Sequence, residues 1–136
     1  MSHVSMLYLI GTMSIHSPIY MNRAARTTDP IERMKLVLVT SISFLQPCHV
    51  FGKPLNPILG ETYQGSLIDG TSVCVEQVCH HPPISFSLIE GPNNSYRWSG
   101  YSSFTSRVHM NSIDLDVTGG KTIVFQDGGI IKYTPH

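Results

Sequence analysis

The residues best placed to do chemistry sit in one octapeptide, Glu76-Gln77-Val78-Cys79-His80-His81-Pro82-Pro83. Here a thiol and two imidazoles stand together, directly ahead of two prolines. A proline pushes the residue before it out of the helical region, so His81 takes an extended backbone. Pro82 and Pro83 fix φ and donate no backbone hydrogen bond, which excludes this piece from a helix interior or a fully paired strand. The preceding run Val73-Cys74-Val75 reads as a strand, so the histidines are held on a stiff rim at its end. Each imidazole can donate to an anion, more strongly when protonated.

Metal and catalytic readings of the same residues are weaker. A zinc site asks for a C-x2-4-C pair with a second pair well downstream. Here four residues separate Cys74 from Cys79 and the histidines adjoin the second cysteine. Neighbouring strand residues point to opposite faces, so Cys79 and His80 do not converge on one ion or form a nucleophile–base pair. There is no C-x-x-C-H haem motif, G-x-S-x-G elbow, G-x-x-x-x-G-K loop or GxGxxG turn. The composition points to a binding module, with no cofactor and no metal.

Upstream, Lys53 is the one Lys or Arg between Lys35 and Arg97, on a loop stiffened by Pro54 and Pro57. Beside Asn56 it is placed to meet an anion, and Glu61 is placed to pair with it or orient it. The stretch Glu76 to Pro83 closely resembles the signature octapeptide of the oxysterol-binding protein family, which has serine where Cys79 stands. Lys53-Pro54-Leu55-Asn56-Pro57-Ile58-Leu59-Gly60-Glu61-Thr62-Tyr63 is similar to a second family segment. Asp29-Pro30-Ile31-Glu32-Arg33-Met34 resembles its D-P-x-E-R-M helix start. The resemblance covers about residues 13 to 135.

The resemblance implies a lipid-transfer domain, in which a nearly closed antiparallel sheet surrounds an apolar tunnel for a sterol or a phospholipid. The motif residues at the tunnel mouth grip the phosphate of phosphatidylinositol 4-phosphate. Carried across by motif position, Lys53, Asn56, His80 and His81 contact the inositol phosphates, Leu55 lies by the glycerol or acyl portion, and Glu61 supports the loop. The implied protein is cytoplasmic, peripheral at membranes or membrane contact sites, and exchanges lipids between membranes without catalysis. Family domains are longer, so the expected fold is an incomplete barrel. Its alternative role is that of a truncated, non-transferring structural subunit, with protein partners covering the open sheet edge.

Composition fits a binding module. Basic and acidic residues number nine each, giving a formal net charge of zero and no field that favours nucleic acid. Charged residues make up 13% of the chain, against about 25% in ordinary soluble domains. With 41% hydrophobic residues, the chain either encloses an apolar ligand or packs against something else. Three cysteines form no disulfide framework, which fits a reducing compartment. No stretch is long and apolar enough to span a bilayer.

The elements that position these residues read as α+β, mostly β, in a single partial domain of 136 residues. Residues 1–22 read as a lid, either a short helix or a segment docked in a groove. Within them Ser14–Tyr20 alternates like an edge strand or extended loop, because of Pro18. Asp29, Pro30 and Glu32 form the start of a helix over residues 29–46. Its apolar residues lie on nearly every face, which predicts burial all round. Residues 62–135 read as an antiparallel meander. Turns are expected at Asp69-Gly70, Gly91–Asn94 and Asp127–Gly129, with a tight hairpin at Gly119-Gly120 and a bulge or break near Asn111-Ser112.

Overall fold

The computed structural model describes residues 4–44 and 54–134, apart from the side chains of residues 113 and 115. Three helices come first: α1 (Met6–Met13), then α2 (Ser17–Arg26) after a short 3-10 turn, then α3 (Pro30–Ser43). Seven strands follow: β1 (Thr62–Ser66), β2 (Ser72–Cys79), β3 (Ile84–Glu90), β4 (Tyr96–Val108), β5 (Ile113–Thr118), β6 (Lys121–Phe125) and β7 (Ile130–Tyr133). They form one antiparallel sheet in the order β1-β2-β3-β4-β6-β7, with β5 also on β4. The fold class expected from the sequence, helix then an unclosed antiparallel sheet, is what the chain adopts.

The helical part is larger than the sequence reading allowed. Ser14–Tyr20 is helical rather than extended, because Pro18 falls in the first turn of α2, where its missing N–H costs nothing. The Asp29 cap forms as expected, its carboxylate accepting from Ile31 N–H at 2.9 Å. Burial of α3 is one-sided, however. Leu36, Val37 and Thr40 are buried, while Ile31, Met34, Leu38, Val39 and Ile42 stay exposed.

One sheet face carries the core. Val73, Val75, Ile89, Tyr96, Trp98, Ile123 and Phe125 pack with Leu7, Met21, Ala24, Leu36 and Val37 of the helices. Alternation along each strand keeps this face apolar and sends the other to solvent. Gly11 lets α1 settle onto β1, since a Cβ there would collide with the Tyr63 ring. At the far side, the Arg33 guanidinium donates to Ala24 O at 3.0 Å, Thr27 O at 2.5 Å and both carboxylate oxygens of Asp127, and stacks 4.5 Å over Phe125. That one side chain ties α2, α3 and the β6–β7 turn together.

Of two expectations about the later strands, the break near Asn111-Ser112 is present and the Gly119-Gly120 hairpin is corrected. The irregularity near Asn111-Ser112 is the turn of a β4–β5 hairpin, closed by His109 N–H to Ser112 O at 2.8 Å. Gly119-Gly120 is not a hairpin. Both β5 and β6 pair antiparallel with β4, on residues 103–108 and 96–100 respectively. The glycines therefore join two collinear strands. Any Cβ on Gly119, whose φ is +156°, would strike the Tyr101 carbonyl.

Candidate functional site

The rim begins where β2 loses its regular pairing. Register against β3 shifts between Gln77 and Cys79, so Val78 is the extra residue of a bulge, which bends the strand end. Residues 80–83 turn back into β3 with a cis His81–Pro82 bond. Pro83 O accepts from Phe104 N–H at 3.0 Å, fixing the turn to the middle of β4.

Beneath the turn sits a polar pair that needs no outside partner. Gln77 is 1% exposed. Its amide donates to Cys79 O at 2.7 Å, and its carbonyl accepts from the Ser85 hydroxyl at 2.6 Å. Burying these groups requires that they be satisfied, and here they are. The pair makes a rigid floor for the rim.

The two imidazoles above it lie 4.6 Å apart, ring to ring, at 68°. Both side chains are exposed, and neither has a hydrogen-bond partner among the described residues. Asn56 is exposed as well. Together with Met6, Pro57, Gln77, Pro83, Ser85 and Phe104, these three residues line a cavity of about 210 Å³. Its upper wall carries unused donors, and its sides are apolar. That combination suits an amphiphile: a polar, hydrogen-bond-accepting head at the rim and a hydrocarbon body below.

The loop that brings Asn56 there is held from behind. Leu55 forms a parallel bridge with Ser5, through Leu55 N–H to Val4 O at 2.9 Å and Met6 N–H to Leu55 O at 3.0 Å. The Glu61 carboxylate accepts from the Ser5 hydroxyl and from Ile58 N–H at 3.1 Å. Ser5 also caps α1. The N-terminal helix is therefore latched to the same loop that presents Asn56, and its first residue, Met6, forms part of the cavity wall.

Of the residues singled out in the sequence, the cavity unites Asn56, His80 and His81. Glu61 lies behind it as a loop support. Leu55 does not line it, and its side chain is 54% exposed. Lys53 lies outside the described residues. Sequence reasoning missed Met6, Gln77, Ser85 and Phe104. Gln77 was legible in principle, because it shares the inward phase of Val73 and Val75. Met6 and Phe104 arrive from distant parts of the chain and left no local signal.

The family model described as oxysterol-binding protein matches residues 1–135. The chain is 38% identical over 117 residues to Oxysterol-binding protein 9 of Dictyostelium discoideum, covering 86% of this chain and 27% of that one. It is 37% identical to Oxysterol-binding protein-related protein 4A of Arabidopsis thaliana, covering 84% of this chain and 28% of that one. Among solved structures, the Osh1 ORD domain in complex with ergosterol superposes with a TM-score of 0.83 at 27% identity, covering 96% of this chain and 32% of that one. The Osh3 ORD in complex with PI(4)P, from Saccharomyces cerevisiae, gives 0.79 at 27% identity, covering 96% and 35%. The chain thus spans about a third of each solved domain.

Proposed function

Because the chain belongs to the oxysterol-binding protein family, we propose that it binds lipid without catalysis. In this reading the rim takes the phosphorylated inositol of phosphatidylinositol 4-phosphate, and the apolar face below takes hydrocarbon of a sterol or phospholipid. The module serves exchange of these lipids between membranes, at cytoplasmic membrane surfaces.

The observation that carries this reading is the single cavity that gathers Asn56, His80 and His81 above apolar walls. His80 and His81 supply ring N–H donors and Asn56 an amide, all free to meet phosphate oxygens. Each charge-assisted hydrogen bond contributes about 1.5–3 kcal/mol, and each buried methylene of the lipid about 0.8 kcal/mol. Lys53 adds a compact positive charge, Leu55 covers the glycerol, and Glu61 keeps the loop in place through Ser5 and Ile58. The N-terminal helix α1, latched to that loop, acts as a lid. A sterol complex and a PI(4)P complex among the similar solved domains support both ligand classes.

The test is co-sedimentation with liposomes that contain or lack phosphatidylinositol 4-phosphate, using the intact chain and a His80→Ala/His81→Ala variant. Lipid-dependent pelleting that disappears in the variant is the expected result. A folded, soluble chain that ignores the phosphoinositide sinks the reading.

A second reading has its own observation. The exposed apolar row Ile31, Met34, Leu38, Val39 and Ile42 on α3, with outer edges of β1 and β7 that pair with no strand among the described residues, suits a chain that other protein segments cover. In that role it is a structural subunit that does not transfer lipid. It predicts stoichiometric co-purification with fixed partners and no gain of lipid binding on their removal.

A further inference from the structure

The register of β4 places one element beyond the rim. Strand β3 begins at Ile84, opposite Ser103, and Pro83 holds Phe104. Past that point β4 has no β3 neighbour, yet it continues to Val108 and pairs only with β5. At about 3.3 Å per residue, Phe104 to Val108 carries the chain roughly 13 Å past the level of Pro83, on the same end of the sheet as the rim.

The finger has two unlike faces. Arg107 is opposite Asp114, Thr105 is opposite Asp116, and His109 pairs with Asp114 at 3.0 Å. This is the polar face, and with Arg107 against Asp114 and Asp116 it has no excess of positive charge. The other face continues the apolar wall of the cavity, from Phe104 opposite Val117 out to Val108. At the end, Val108 is 79% exposed and Met110 is 99% exposed. A two-stranded ribbon gains little stability of its own, and nothing in its packing calls for bare apolar side chains at the tip. Single exposed apolar residues are ordinary elsewhere: Ile68, at 109%, sits on the β1–β2 turn. That turn is at the opposite end of the sheet, away from the rim.

We propose that the tip of the β4–β5 finger, through Val108 and Met110, dips into the surface of a lipid bilayer and seats the rim against it. This rests on the lipid-binding reading of the rim and extends it to where the ligand comes from. Because the polar face carries one Arg against two Asp, and so no excess of positive charge to draw anionic lipid, the contact is apolar rather than electrostatic. It therefore forms on neutral phosphatidylcholine vesicles and resists salt.

The experiment uses the full chain with a tryptophan reporter, Met110→Trp, and a matched control, Ile68→Trp. Each is mixed with phosphatidylcholine vesicles, plain or with bromine on the acyl chains, at low and high salt. Quenching of the residue-110 reporter by brominated lipid, unchanged by salt and absent for the residue-68 control, is expected. A Val108→Asp/Met110→Asp variant should lose vesicle partitioning by at least about tenfold, as expected when two apolar side chains no longer leave water. The same variant should keep its affinity for a water-soluble, short-chain phosphatidylinositol 4-phosphate, which needs only the rim.

An unquenched reporter at residue 110, or equal quenching at residue 68, overturns the finger, as does an Asp variant that pelleted like the parent. A tip covered by protein instead of lipid gives the first of these outcomes. Failure of the parent chain to bind the soluble short-chain lipid is a separate result, which overturns the headgroup site while leaving the reporter result to decide the finger.

Discussion

The two ends of this sheet treat their polar side chains in opposite ways. At the end away from the rim, the two turn carboxylates, Asp69 and Asp127, are tied. Asp69 accepts from Asn22 of α2 at 2.8 Å and from the Thr71 backbone and hydroxyl at 3.1 and 2.9 Å. Asp127 takes the Arg33 guanidinium and Gly129 N–H. Burial pushes the Asp69 carboxyl up, but these hydrogen bonds together outweigh it and hold the group below its usual value. The Arg33 hydrogen bond, helped by Gly129, does the same for Asp127. At the rim end, His80, His81 and Asn56 have no hydrogen-bond partner for their side chains among the described residues. A fold spends donors where it needs rigidity and leaves them free where a ligand must supply the acceptor.

If that contrast is right, the largest effect on binding comes from the free end. Replacing both rim histidines with alanine should weaken phosphoinositide binding by roughly a hundredfold or more, from the loss of two charge-assisted hydrogen bonds. The urea midpoint should scarcely move, since exposed and unpartnered side chains hold nothing together. Titration with short-chain lipid, beside urea denaturation, checks both. A variant that unfolded early would place the histidines with the tied end.

The tied end should give the reverse. Arg33→Ala leaves the Ala24 and Thr27 carbonyls without their donor, and should cost on the order of 2–4 kcal/mol of stability. Rim affinity measured in the still-folded population should be unchanged. The same end also sets the acid limit. Asp69 and Asp127 are held below their unfolded values, so their contribution is present above about pH 4 and is lost as pH falls through their lowered folded values. Asp127→Asn should flatten that acid limb. An unaltered limb would mean that its pairing with Arg33 does not stabilise the fold.

Between the ends lies the floor of the rim. Gln77→Leu removes the partner of the Ser85 hydroxyl and of Cys79 O, an expected loss of about 1–3 kcal/mol. It should also loosen the turn above and so weaken headgroup binding, while Ser85→Ala should do less to both. Stability and affinity falling together in this variant, and separately in the two preceding ones, would mark where the free region meets the fixed one.

How much of this was legible in the sequence follows the range of each interaction. The Asp29 cap, the β6–β7 turn at Asp127–Gly129 and the period-two phase of β2 and β3 are set by neighbours in the chain, and they read correctly. The stiff rim did too, because consecutive prolines leave few conformations. Ser14–Tyr20 misled because its alternation mimics a strand, and only the docking of Met21 and Ala24 against the sheet decides for helix. The exposed face of α3 looked like core because apolar residues on every side signal burial without saying by what. Arg33 and Asp127 are 94 residues apart, and Ser5 and Glu61 are 56 apart. No local pattern announces such pairs.

Lys121 gives the smallest and most diagnostic effect, because it is a half-buried amine on the inward face of the sheet. It shares the inward phase of Ile123 and Phe125, its stem crosses Gly100, and its ammonium donates to Ser102 Oγ at 3.0 Å. No carboxylate pairs with it among the described residues. Burial lowers its pKa to about 8, against about 10.4 in an unfolded chain. Because the folded value is the lower one, the fold disfavours the charged amine. Its contribution is recovered fully only above about pH 10.4, and is lost as pH falls through about 8. Lys121→Met should therefore be more stable than the parent at pH 7, by on the order of 1 kcal/mol. The advantage should shrink as pH approaches 10, which paired urea midpoints at the two pH values would measure. A gap that stayed constant with pH would mean the amine keeps its water. A closing gap would show that the charged amine stays costly on this inward face until it loses its proton.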